Sequence, residues 1–256
     1  MVTMMFVDRL FLSNYSLDAL NAATSSGTLF WAGAVFWISF VSIGEVFVAQ
    51  YNGAKQFEKI ATPVWQMIYL SVIATVFLVF AAYVLAPLFL TSKFMNSFEY
   101  TYYKWNNLVA PLMVFLTALS AFYIGQGKTQ AIKWLSILGN GVNILLDPLF
   151  IFGYKNYLPS MGIMGAALAT GAGLTIQLVI LSVMIFSKRN REKFGIKNYK
   201  FNPHAFISCI KIGISPACFV LIELLGWAIF YKFMEFLSPK HILVSSIIQS
   251  FLILFN

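Results

Sequence analysis

Apolar residues run along this chain in long blocks separated by short polar intervals. A hydrocarbon core about 30 Å thick takes about 20 apolar residues per helical crossing, because each helical residue advances about 1.5 Å. Blocks of that length cover residues 19–49, 61–90, 101–125, 131–153, 161–187 and 205–237. The pattern predicts six complete membrane-spanning helices. Residues 1–12 read as the tail of an earlier helix and 241–256 as the start of a later one, so the chain is expected to be a fragment cut inside a helix at each end.

Composition agrees with the pattern. Of 256 residues, 60% are hydrophobic and 10% charged, against about 25% charged in a soluble domain, and the mean hydropathy is +0.80. The expected class is an all-α integral membrane protein. Short loops make neighbouring helices antiparallel, and the recurring small residues Gly162, Gly165, Ala166, Ala169 and Gly173 permit close backbone approach. No signal peptide is apparent at the start. Cys209 and Cys218 share one apolar segment and are expected to pack without pairing.

Net charge is +8, but the basic residues follow the loops and form no aromatic-interleaved patch, so no nucleic-acid partner is expected. Lys55, Lys59, Lys128, Lys133, Lys188, Arg189, Arg191, Lys193, Lys197, Lys200 and Lys211 fall on one side. Arg9, Lys93, Lys104, Lys155, Lys232 and Lys240 fall on the other. The positive-inside rule places the larger group, with the loops near 55, 128 and 188–204, in the cytoplasm. Residues 188–204 are the longest polar interval, read as a basic cytoplasmic linker near anionic lipid. The expected division is a transmembrane lobe over 1–187, the linker over 188–204, and the start of a second lobe over 205–256.

Against this background the stretch "GNGVNILLDPLFIFG" is anomalous. Asn140, Asn143 and Asp147 stand at i, i+3 and i+7 and form one polar stripe on an apolar helix. A charge at the bilayer centre costs about 3 kcal/mol on insertion scales, and intramembrane acids mark ion or proton pathways. Pro148 removes a backbone donor next to Asp147. Asn140 by itself reads as an interhelical clamp. Asp147 and Asn143, with Asp8 from another helix, read as a cation or proton site, since a permanent clamp needs no titratable group. Arg9 is not expected to pair with Asp8, because adjacent helical residues point in different directions. Glu45 is expected to snorkel or to contact a neighbour near its helix end, and Glu223 to be buried in mid-helix.

The ordered stretches "FVDRLFLSNYSLDALNAA", "VAQYNGAKQFEKI", "GQGKTQ", "NILLDPLFIFG", "MGIMGAALAT" and "KIGISPACFVLIE" resemble multidrug and toxic compound extrusion (MATE) transporters over nearly the whole chain. The resemblance implies a twelve-helix antiporter of two six-helix lobes that exports organic cations, drugs or other amphipathic compounds by alternating access. This chain would hold the six-helix first lobe, with its first helix truncated, and one to two helices of the second. Asp8, Asn143, Asp147 and Thr170 are similar to the family's amino-terminal cation site, with Na+ or H+ as the coupling ion. Glu223 resembles the seventh-helix glutamate used in some subfamilies. No other cofactor is implied. The implied partners are membrane lipid, a small organic substrate and the remainder of the carboxy-terminal lobe, and the implied location is the plasma (inner) membrane. Trp31, Phe36, Trp37, Phe115 and Tyr123 are candidates to line a substrate cavity.

Two other functions fit the residues less well. A lipid-linked oligosaccharide flippase of the same superfamily expects an intramembrane Arg or Lys for a pyrophosphate, whereas the mid-span ionisable residues read as mainly acidic. A membrane enzyme is excluded by motif: only His204 and His241 occur, without H-E-x-x-H or G-x-S-x-G. A fragment that does not itself transport is the remaining alternative.

Overall fold

A computed structural model of the chain describes residues 2–86, 98–155 and 157–255. Helix α1 (Val2–Tyr15) stops at Ser16, whose extended backbone opens α2 (Leu17–Gly53). The Ser16 hydroxyl accepts from the Asp18 N–H at 3.2 Å, and Asp18 faces the positive helix end. With 37 residues, α2 is roughly 55 Å long at about 1.5 Å per residue, well beyond one bilayer core.

Helix α3 (Ala61–Phe80) continues into a π-helical stretch, Ala81–Leu85. The last predicted residues of that span, 87–90, and Lys93 lie outside the described residues. Helices α4 (Phe98–Ile124), α5 (Thr129–Phe152) and α6 (Gly162–Ile185) follow. A short α7 (Lys188–Lys193) precedes α8 (Pro203–Leu237) and α9 (Pro239–Phe255). The start of α8 is capped by the Asn202 side chain, which accepts from the Ala205 N–H at 3.1 Å, with Pro203 in the first turn. Six helical segments among the described residues are long and apolar enough to cross a membrane, and they coincide with the six predicted blocks.

The main core lies where α2, α3, α4 and α8 meet, around Phe30, Trp37, Phe40, Met67, Leu78, Tyr103 and Val114, with Cys209 and Ala217 entering from α8. Both cysteines are free. A second cluster fills the end of the bundle that carries the basic loops, hereafter the basic end. There Phe122, Leu181 and Ile185 pack on Phe194 and Ile196 from the segment after α7.

That segment is pinned to α3. Trp65 Nε1 donates to the Ile196 carbonyl at 3.0 Å, the Tyr69 hydroxyl donates to the Tyr199 carbonyl, and the Asn202 N–H donates to Gln66 Oε1 at 3.1 Å. Gly195 makes the docking possible. Its φ is +66°, and a Cβ there would stand 2.1 Å from the Glu58 carbonyl oxygen. The basic linker therefore carries its charge on an anchored segment.

Candidate functional site

Helix α5 buries Leu135, Gly139, Asn143, Asp147 and Ile151, one residue every four. Steps of four keep those side chains on one face, and the face turns toward α6 and α1. Asn143 and Asp147 are both 0% exposed. Asn140, one position round the helix, is half-buried beside the stripe.

Small residues bring the facing elements close enough to touch. A Cβ on Gly173 of α6 would stand 2.5 Å from the Gly139 carbonyl oxygen on α5. Thr170, one turn before Gly173, is thereby held against Asn143. Helix α1 joins through Leu12, which packs with Ala19, Ala22, Ile151, Ile163 and Ala166.

Turned so that both its ends are satisfied, the Asn143 amide donates to Asp8 Oδ1 at 3.2 Å. Its oxygen then accepts from Thr170 Oγ1 at 3.3 Å and from the Thr170 N–H at 3.2 Å. Turned the other way, its nitrogen donates to Asp147 Oδ1 and Thr170 Oγ1, each at 3.3 Å. Either orientation ties α5 to α6, and the first also reaches α1. Asp8 and Asp147 thus stand against the same buried amide, one from α1 and one from α5.

Two carboxylates so placed in a dry site cannot both stay bare: either one is protonated or a cation lies between them. Asp147 Oδ2 is buried without a hydrogen-bond partner among the described residues. A buried anionic oxygen left in that condition suits a cation ligand or a proton acceptor. Among the described residues no group of three or more His, Cys, Asp and Glu could hold a metal ion. An ion here would instead draw on mixed oxygen donors: two carboxylates, an amide and a hydroxyl.

Asp8 and Thr170 also line a cavity of about 30 Å³ with Arg9, Trp31, Tyr102 and Asn106. Of the five aromatic residues considered for a substrate cavity, Trp31 lies here. Phe36 and Trp37 instead pack in the core, with ring centroids 5.2 Å apart and Trp37 5.6 Å from Phe77 of α3. The Tyr123 hydroxyl accepts from Asn190 at the basic end, at 3.3 Å. Phe115 is half-buried on α4.

Three charged residues depart from expectation or stand apart. Arg9, counted with the loops, is only 7% exposed and donates to Gln249 Oε1 of α9 at 2.9 Å. A charge tally along the chain sees a residue near a terminus and not the helix that covers it. Glu223, expected to be buried, is exposed on α8. The reason is helical phase: α8 packs on α2 through Cys209, Gly213 and Ala217, while Phe219, Ile222 and Glu223 face outward. Glu45 is half-buried on α2 and does not reach the cluster. Tyr102 and Asn106, one helical turn apart on α4, were not singled out from sequence; their spacing of four was the available signal.

The MatE family model matches residues 1–149, more than half of the chain. The chain belongs to the MATE family. Its similarity to a probable multidrug resistance protein NorM of Bacillus cereus is 27% identity over 192 residues, covering 72% of this chain and 40% of that protein. Among solved structures, the MATE multidrug transporter DinF-BH matches with a TM-score of 0.84 at 16% identity, covering 98% of this chain and 56% of that one. An inward-facing multidrug resistance MATE transporter of the MOP superfamily matches with a TM-score of 0.82 at 18% identity, over 96% of this chain and 56% of that one. The chain thus shares the fold of these MATE transporters, and it spans about half the length of the relatives it matches. It is a multi-pass membrane protein, and its relatives are transporters, not enzymes.

Proposed function

We propose that the MATE chain forms part of a cation-coupled antiporter of the plasma (inner) membrane, exporting organic cations, drugs or other amphipathic compounds by alternating access. The observation that carries this reading is the meeting of Asp8 with Asp147, two acids from different helices, beside Asn143 and Thr170. Na+ would take oxygen ligands from these four residues, and H+ would sit between the two carboxyl groups. Loading favours one conformation and the organic substrate the other, and the shift is bounded by the difference in affinity for the two states. In this reading Glu223 serves only once later helices of the second lobe supply partners, the loops near 55, 128 and 188–204 are cytoplasmic, and no further cofactor takes part.

The test is efflux from vesicles holding the full protein, with Na+ and pH gradients imposed separately. Efflux is expected to follow one of the two gradients; indifference to both removes the coupling. One observation favours a flippase for lipid-linked pyrophosphates as the second reading, namely the burial of Arg9 beside the cavity. Transfer of a lipid-linked pyrophosphate in those vesicles, without efflux of an organic cation, would select it.

A further inference from the structure

Among the described residues, polar side-chain pairs join the helices before the basic segment to those after it. Lys232 of α8 meets Glu99 of α4, with Nζ 2.9 Å from Oε2 and 3.2 Å from Oε1. Ser246 of α9 donates to Asn21 Oδ1 of α2 at 3.3 Å, and Arg9 of α1 donates to Gln249 of α9 at 2.9 Å. Glu99 opens α4, Asn21 lies in the second turn of α2, and Lys232 closes α8, so the pairs cluster toward the end opposite the basic loops.

Packing differs sharply between the two ends of this interface. Toward the basic end α8 lies hard on α2: a Cβ on Gly213 would meet Phe40 at 3.0 Å and Ile43 at 3.1 Å. Toward the opposite end an open apolar cavity of about 260 Å³ lies between α1, α2 and α9, lined by Phe6, Leu10, Leu20, Leu243 and Ile247, with Arg9 at its wall and Leu10 and Ile247 exposed. With fewer apolar contacts joining the helices there, the polar pairs carry a larger share of the closure. Lys232 is 38% exposed in its side chain, so its ammonium can exchange Glu99 for water when the pair parts.

The geometry points to a polar latch: Glu99–Lys232, Asn21–Ser246 and Arg9–Gln249 hold α8 and α9 closed against α1, α2 and α4 at the end opposite the basic loops, and part when that end opens. Arg9 links the latch to the cation cluster, because it lines the same small cavity as Asp8. The inference rests on the alternating-access reading above, but its test reads opening directly.

The reporter is Leu20→Cys, at the wall of the apolar cavity, in the full protein with Cys209 and Cys218 changed to Ala. A membrane-impermeant maleimide is applied from the side opposite the basic loops. Labelling is expected to be slow in the parent, severalfold faster in Glu99→Gln, and slow again in the charge swap Glu99→Lys with Lys232→Glu. Ser246→Ala, which removes one hydroxyl from a separate pair, is expected to speed labelling too. An unchanged rate in both Glu99→Gln and Ser246→Ala, or a swap that labels as fast as Glu99→Gln, overturns the latch. Efflux that ignores every ion gradient would instead defeat the coupling reading and leave these rates as they are.

Discussion

Gly173 and Gly139 touch backbone to backbone: a Cβ on Gly173 would lie 2.5 Å from the Gly139 carbonyl oxygen. This contact sets how far α6 stands from α5, and so whether Thr170 reaches Asn143. Gly173→Leu is expected to push the helices apart and destabilise the protein by about 1 to 3 kcal/mol, the usual range for overpacking. Thermal unfolding in detergent, followed by loss of the monodisperse peak, measures it. A variant as stable as the parent would show that the close approach is dispensable.

Asp147→Asn keeps the shape of the side chain and removes its charge. Gradient-driven efflux is expected to fall about tenfold or more, the factor that corresponds to about 1.4 kcal/mol, while membrane insertion stays intact. Efflux in vesicles and protein level in the same membranes check both halves. Undiminished coupled efflux would exclude Asp147 as a carrier of the coupling ion.

Phe194 is 4% exposed, and its ring meets that of Phe122 at 5.3 Å. Phe194→Ala is expected to cost about 3 kcal/mol, as truncation of a buried Phe does. It should also loosen the basic segment from α3. Limited proteolysis between 188 and 204 follows that release, and cleavage no faster than in the parent would argue that the Trp65 and Gln66 contacts hold the segment unaided.

Lys128 sits in the turn between α4 and α5. Slight burial, with repulsion from Lys193 and Arg189 added to it, lowers the pKa of this largely exposed lysine below the usual range. A lowered value means that the free amine forms at lower pH, so acylation of Lys128 begins earlier as pH rises. Replacing Lys193 and Arg189 by Gln removes the repulsion and leaves the burial, so the acylation curve should move part of the way to higher pH. Mass spectrometry of the labelled peptide reads the shift, and an unmoved curve would assign the whole effect to burial.

Some of the candidate site could be read along the chain because its signal is local. Asn143 and Asp147 are four residues apart on one helix, and the cost of polar groups in hydrocarbon turns their face inward whatever the neighbours are. Arg9 and Glu223 carried no such signal. Whether a charge is covered depends on which helix lies across it, and Gln249, a partner of Arg9, is 240 positions away. The basic segment shows the same limit: its charges were visible, while the burial of Phe194 and Ile196 required α3 and α6 to be in place.

The sequence by itself determined that the protein is a bundle of membrane-crossing helices, where those helices run, and which face of α5 is polar. Block length against bilayer thickness and the helical repeat are properties of neighbouring residues. Only the tertiary structure decided that Asp8, Asp147 and Thr170 converge on one amide, that Arg9 stands beside them, and that α8 turns Glu223 away. Those outcomes depend on how helices cross, and the crossings are set by contacts such as Gly139 with Gly173 and Phe40 with Gly213, which pair residues far apart in the chain.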